Sequence, residues 1–292
     1  MIRRRGPAWS VTAQASGWGK STDAELAWSK SRAATARWAV AGAVVGGLLA
    51  LPAFAPAAWL ARALASATGE RLLLADARGS VWSGSAVLVL TGGPQSRDAS
   101  ALPGRLDWSL APRFDGLELA LRQACCLNGS ATVRLRPSWG GVAVSLDGRP
   151  EPIGQWPSAW LSGLGTPFNT LQLGGLLQLA SNGVTLRFTQ GRWQMEGGAE
   201  LEVLDVSSRL TPLDSLGSYR LSVRADPADA GRPLLGLTTE RGALQLSGNG
   251  SLGPGGVRFR GEARAASDDT VLSNLLNIIG RRDGARSLIS IG

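Results

Sequence analysis

Gly79-Ser80-Val81-Trp82-Ser83-Gly84-Ser85-Ala86-Val87-Leu88-Val89-Leu90 decides the fold class. Two glycines and a tryptophan announce a turn, and beyond it the chain alternates. Trp82, Ala86, Leu88 and Leu90 are expected to point one way, with Ser83, Ser85 and the valines on the other face. Successive side chains of an extended chain face opposite sides, so this pattern predicts a strand buried on one side. The same grammar continues to the C-terminus. Leu106, Trp108 and Leu110 alternate with charged or small residues, as do Leu117, Leu119 and Leu121, and Val133 and Leu135. Further copies stand at Val142, Val144 and Leu146, Leu171 and Leu173, Leu186 and Phe188, and Leu201 and Val203. Tyr219, Leu221 and Val223, Leu244 and Leu246, and Val257 and Phe259 complete the series. Gly, Pro, Asn or Asp separate the copies, which predicts antiparallel hairpins in sequence. No long helical pattern alternates with them, so a parallel α/β sheet is excluded. The expected fold is mainly β, with few short helices. Two arrangements fit: a Greek-key sandwich with a filled core, or a long curved sheet with an open apolar face.

Upstream lies Trp38 to Ala61, WAVAGAVVGGLLALPAFAPAAWLA, without a charge. A bilayer core of about 30 Å needs roughly 20 apolar helical residues, and this run predicts a membrane helix from Trp38 to about Ala55. Pro52 and Pro56 weaken its far end. Lys30, Arg32 and Arg37 flank the run, and basic flanks stay in the cytoplasm, so residues 62–292 are expected across the membrane. A cleaved signal peptide, with Ala63-Leu64-Ala65 or Ala65-Ser66-Ala67 as the cleavage site, and a buried core helix are the alternatives. The long leader and long apolar run favour the uncleaved anchor. The expected organisation is a tail at 1–37, an anchor at 38–61 and a β domain at 62–292.

The tail holds Trp9, Trp18 and Trp28 without helical or strand period and reads as a disordered cytoplasmic arm, or as a segment lying on anionic lipid. Pro56 to Gly69 predicts a short helix with Leu60 and Leu64 on one side. Ile153–Leu164 predicts a helical turn laying Trp156 and Trp160 over the sheet. Thr270–Ile279 places Leu272, Leu275, Leu276 and Ile279 at helical spacing, closed by Gly280.

The chain of 292 residues carries 39 glycines, 15 prolines and a net charge of +8, much of that charge in the tail. Past Arg62 basic and acidic residues nearly balance and intersperse, which argues against a nucleic-acid surface. There is no histidine. That removes Ser-His-Asp and Cys-His catalysis and most zinc sites, and no motif nominates a carboxylate pair, so a non-enzymatic protein without metal, cofactor or small-molecule substrate is expected. Cys125 and Cys126 are adjacent. Neighbours on an extended chain point apart, so two thiols, one buried, are expected, against a vicinal, intermolecular or redox bridge. Gly248–Gly256 and Gly92-Gly93-Pro94 lack the Lys-Ser/Thr and helix of a phosphate loop and read as turns.

Taken together, the anchor ending in Leu51-Pro52-Ala53, Gly79-Ser-Val-Trp82-Ser-Gly84, Leu106-Asp-Trp108, Leu213-Asp-Ser-Leu-Gly217-Ser-Tyr219-Arg-Leu221 and Leu275-Leu-Asn-Ile-Ile-Gly280-Arg-Arg-Asp-Gly284 resemble the type II secretion system protein N family. The likeness runs from about Arg37 to the C-terminus; the long tail departs from it. It marks Gly79, Trp82, Gly84, Trp108, Gly217, Tyr219 and Gly280 as motif positions. The resemblance implies an inner-membrane accessory subunit with its bulk in the periplasm, touching other inner-membrane secretion subunits and the outer-membrane secretin. A rival reading is a membrane-anchored lipid carrier similar to the AsmA and TamB group, whose one-sided strands line an open groove.

Overall fold

The computed structural model describes residue 35 and residues 38–48, 50–253, 255–267 and 269–292. Apart from residue 35 the tail, with its Lys30, Arg32 and Arg37, lies outside the described residues. Within the uncharged run, residues 38–48 and 50–53 are helical, and the chain breaks at residues 54–56 before a second helix, Ala57–Ala67. Among the described residues no helix is long and apolar enough to cross a membrane, which says nothing of a β-barrel. The compact units divide between Phe54 and Ala55, so the Ala57–Ala67 helix belongs with the β domain.

The strands are β1 (Leu72–Gly79), β2 (Ser83–Thr91), β3 (Ala99–Ala101), β4 (Leu106–Arg113), β5 (Gly116–Gln123), β6 (Ser130–Ser138), β7 (Gly141–Leu146) and β8 (Gly154–Pro157). They continue as β9 (Gly174–Thr189), β10 (Arg192–Ser207), β11 (Gly217–Arg224), β12 (Leu234–Arg241), β13 (Leu244–Gly253), β14 (Gly256–Ala265), β15 (Arg281–Asp283) and β16 (Arg286–Ile291). All belong to one sheet, ordered β1-β2-β4-β5-β6-β7-β9-β10-β11-β12-β13-β14-β16-β15, with β3 beside β2 and β8 beside β9. Every pairing is antiparallel, and most strands sit beside the next in sequence. That meander corrects the sandwich alternative: among the described residues there is no second sheet for the leucines to pack against.

Register explains why one face is apolar throughout. Leu117, Leu135, Val144, Leu186 and Met195 form one row across β5, β6, β7, β9 and β10. Leu179, Leu201, Leu221 and Leu237 form another across β9 to β12. In β9 the apolar positions change parity, from Leu177 and Leu179 to Val184, Leu186 and Phe188. A register shift opposite Gly197–Ala199, between Ser181 and Val184, absorbs the extra residue and keeps both sets on the same side. The opposite face is mostly polar, with Leu176, Leu234 and Leu288 exposed on it, and carries ion pairs, including Arg113–Glu118 and Arg134–Asp147 at 2.6 Å and Arg220–Glu202 at 2.9 Å.

Three local expectations differ from the structure. Leu171 closes a short helical turn, Phe168–Leu171, and Leu173 precedes β9 rather than lying in a strand. Ile153–Leu164 divides into β8 and a 3-10 helix, Ser158–Leu164, whose Trp160 Nε1 donates to the Ser100 carbonyl at 3.0 Å. Cys125 and Cys126 form a disulfide: residues 124–126 are a turn, so the side chains no longer point apart, and the Cα atoms lie 3.7 Å apart.

Candidate interaction surface

The motif positions fall into two groups, each where a helix covers one end of the apolar face. At the first end Trp108, 4% exposed, packs with Ala57 and Ala86, surrounded by Leu60, Leu74, Ala77, Leu119 and Leu121. Its indole Nε1 donates to the Ser80 and Val81 carbonyls, both at 3.2 Å, so the ring is buried with its polar atom satisfied. Gly84 pairs with Trp108 across β2 and β4, and a Cβ there would stand 2.5 Å from Trp108 Cζ2. Gly79 ends β1 at φ +89°. Trp82 sits in the turn before β2 and is only half-buried, with its carbonyl accepting from the Leu110 amide at 2.7 Å. The tryptophan that fills this core is therefore Trp108 rather than Trp82, because the strand alternation starts at Ser83. Ala55 ties the helix to the sheet by accepting from the Val81 amide at 2.9 Å.

At the second end Leu272, Leu275 and Leu276 of the Asp269–Ile279 helix bury against Val206, Leu216, Tyr219, Leu244 and Ala263. The Tyr219 hydroxyl donates to the Leu244 carbonyl at 3.0 Å, and burial raises its pKa above the ordinary phenol range. Gly217 opens β11 at φ +147°, with a Cβ position 3.0 Å from Gly242 Cα. A Cβ on Gly280 would meet the Leu288 carbonyl. All seven motif residues thus close the ends of the sheet, and none converges on a reactive centre.

Between and beyond the covered ends the same face stays open. Leu186, Trp193, Leu221, Leu252, Val257 and Ile291 are exposed there, Trp193 by 53%. Register joins them to one surface: Phe188 pairs with Trp193, Leu252 with Val257, and Phe259 with Ile291. Phe188 and Trp193 also place their rings 4.8 Å apart. Contiguous exposed apolar side chains of this size mark a surface that something covers. Trp193 was not singled out by the sequence; its alternation with Met195 two positions on was the available signal.

The polar face has a different character. Arg105 and Arg78 hydrogen-bond Asp76, Arg136 bonds Asp115, Arg113 bonds Glu118, and Arg264 bonds Glu262, holding each carboxyl below its ordinary range. A carboxylate with a depressed pKa stabilises the fold above its unfolded pKa and loses that contribution as pH falls through the folded value. Because the groups are exposed, the loss is small. The thermal midpoint is expected to hold between about pH 6 and 8 and to fall below about pH 4; a rising midpoint there, followed by circular dichroism, contradicts the pairing. A cleft of about 790 Å³ is lined by both charges, among them Arg97, Asp98, Arg209 and Asp214. Asn169 Nδ2 donates to Asp98 Oδ2 at 3.1 Å within it. No group of three or more metal-ligating side chains gathers among the described residues.

The chain is thus a single antiparallel sheet with two helix-covered regions and an open apolar face. The family model for type II secretion system (T2SS), protein N, matches residues 70–288. The chain belongs to that family. Comparisons with curated proteins and with solved structures gave no match.

Proposed function

We propose that the chain is a non-enzymatic accessory subunit of the type II secretion machinery. In this reading the anchor in the inner membrane ends by about residue 54, residues 1–37 are cytoplasmic, and the sheet with its Ala57–Ala67 helix lies in the periplasm. The observation that carries the reading is the open apolar face of a sheet whose ends are both covered. Such a face gives a scaffold a broad contact area without requiring reactive groups, and it can receive an apolar segment of another inner-membrane subunit or of the secretin.

Replacing Trp193 and Leu221 together by Glu tests it, since both are exposed and lie outside the two buried clusters. Isolated charges on an apolar contact leave groups to be desolvated, at roughly 1–3 kcal/mol each. Co-purification with secretion subunits from native membranes is expected to drop at least tenfold, by the roughly 1.4 kcal/mol per decade of affinity. Undiminished recovery from a correctly folded variant removes the face as the contact.

A further inference from the structure

The cysteine turn lies outside both covered ends and serves no part of the surface just described. Cys125 is exposed and Cys126 is 6% exposed, so one residue of the bridge lies open to solvent and the other is buried. The turn also holds a neighbouring strand. The Cys126 carbonyl accepts from the Gln155 amide at 2.7 Å, and the Asn128 amide donates to the Ile153 carbonyl at 2.9 Å. Asn128 Nδ2 donates to the Pro152 carbonyl at 2.9 Å, and Leu127 bridges Gly154. These contacts take one edge of β8; its other edge pairs with only Leu176–Leu179 of β9. Beside the turn, Gln123 is 3% exposed and its Nε2 has no hydrogen-bond partner, while its carbonyl accepts from the Cys126 and Leu127 amides at 3.3 and 3.1 Å, so the bridged pair sits inside the turn that holds β8.

We propose that Cys125–Cys126 is a thiol–disulfide exchange site that takes a dithiol, and that its oxidised form clamps β8. The inference does not depend on the secretion reading. A thiolate of the dithiol attacks the Sγ of Cys125, the exposed residue of the pair, breaks the Cys125–Cys126 bond and forms a mixed disulfide; Cys126 leaves as a thiolate and takes a proton. The second thiol of the dithiol then attacks its own sulfur in the mixed disulfide and releases Cys125, which is protonated in turn. The protein gains two electrons and two protons, and the dithiol departs as a disulfide. The freed residues no longer have to close a turn, and the hold of residues 126–128 on β8 weakens. Because Trp156 pairs with Leu177, that strand carries a tryptophan on the apolar side of the sheet.

The test uses the full chain in detergent. Protein purified without reductant is treated with iodoacetamide, with and without dithiothreitol, and mapped by peptide mass spectrometry. Neither cysteine is expected to react before reduction and both after it. Glutathione alone is expected to form its mixed disulfide on Cys125. Amide exchange at residues 153–157 is expected to run at least about tenfold faster in the reduced protein. The Cys125→Ser/Cys126→Ser variant should match the reduced protein, which itself supplies the reading if that variant fails to fold. Alkylation before reduction, glutathione on Cys126, or unchanged exchange at 153–157 each overturns the proposal.

Discussion

Trp108→Ala is expected to lower the stability of the β domain by about 3–5 kcal/mol, the range for removing a buried tryptophan from a packed core. The indole stands among Ala57, Ala86, Leu74, Leu119 and Leu121, and its Nε1 donates to the Ser80 and Val81 carbonyls. Truncation therefore opens a cavity and strips two carbonyls of a donor at once. For a domain of this size the thermal midpoint should fall by about 6–20 °C. Trp82→Ala, in the half-buried turn, should cost less, and Trp193→Ala, on the exposed face, least of all. Equal midpoints for the Trp108 and Trp193 variants would contradict the placement of the core. The helix over Trp108 has a related consequence: a chain starting at Ala55 keeps Ala57 and Leu60, whereas one starting at Arg62 loses both and should be measurably less stable.

Gly217→Ala is expected to cost about 2–5 kcal/mol, from backbone strain and overpacking together. Its φ of +147° is one that L side chains rarely adopt, and the added carbon would meet the Arg241 carbonyl and sit 3.0 Å from Gly242 Cα. Both contacts are backbone and cannot swing aside. Gly253→Ala is the control, because nothing lies within 4 Å of its Cβ position and its φ lies outside the range that L side chains rarely adopt. It should change stability by no more than about 0.5 kcal/mol. Denaturant unfolding of the two variants separates a steric requirement at Gly217 from a general cost of losing glycine.

The β architecture was legible because strand alternation is a local signal. Leu117-Glu-Leu-Ala-Leu121 and Val142-Ala-Val144 state their faces without reference to anything distant, and both fall in strands. The helix over the second core was legible for the same reason, since Leu272, Leu275 and Leu276 share one helical face. What the alternation could not give was the number of sheets, because a leucine facing a second sheet and one facing an open surface read alike. The parity change within β9 was visible as Ser181-Asn182-Gly183, but its purpose required the partner register. The disulfide is not legible in the sequence, because adjacent cysteines point apart on an extended chain and only the turn at residues 124–126 brings them together. The motif positions were found by resemblance, and their role emerged only from packing: Gly84 under Trp108, and Gly217 against Gly242, are contacts between residues far apart in sequence.

The central claim is that the open apolar face meets another secretion subunit. A photo-crosslinking amino acid placed at Trp193 or Leu221, and at Arg187 on the polar face as a control, tests it directly in native membranes, with crosslinked proteins and co-extracted lipids both identified by mass spectrometry. The expected result is a secretion subunit captured from positions 193 and 221 and not from 187, without lipid enrichment over an anchor-only control. Stoichiometric lipid at those two positions, with no secretion subunit, would contradict it and make the face a lipid groove.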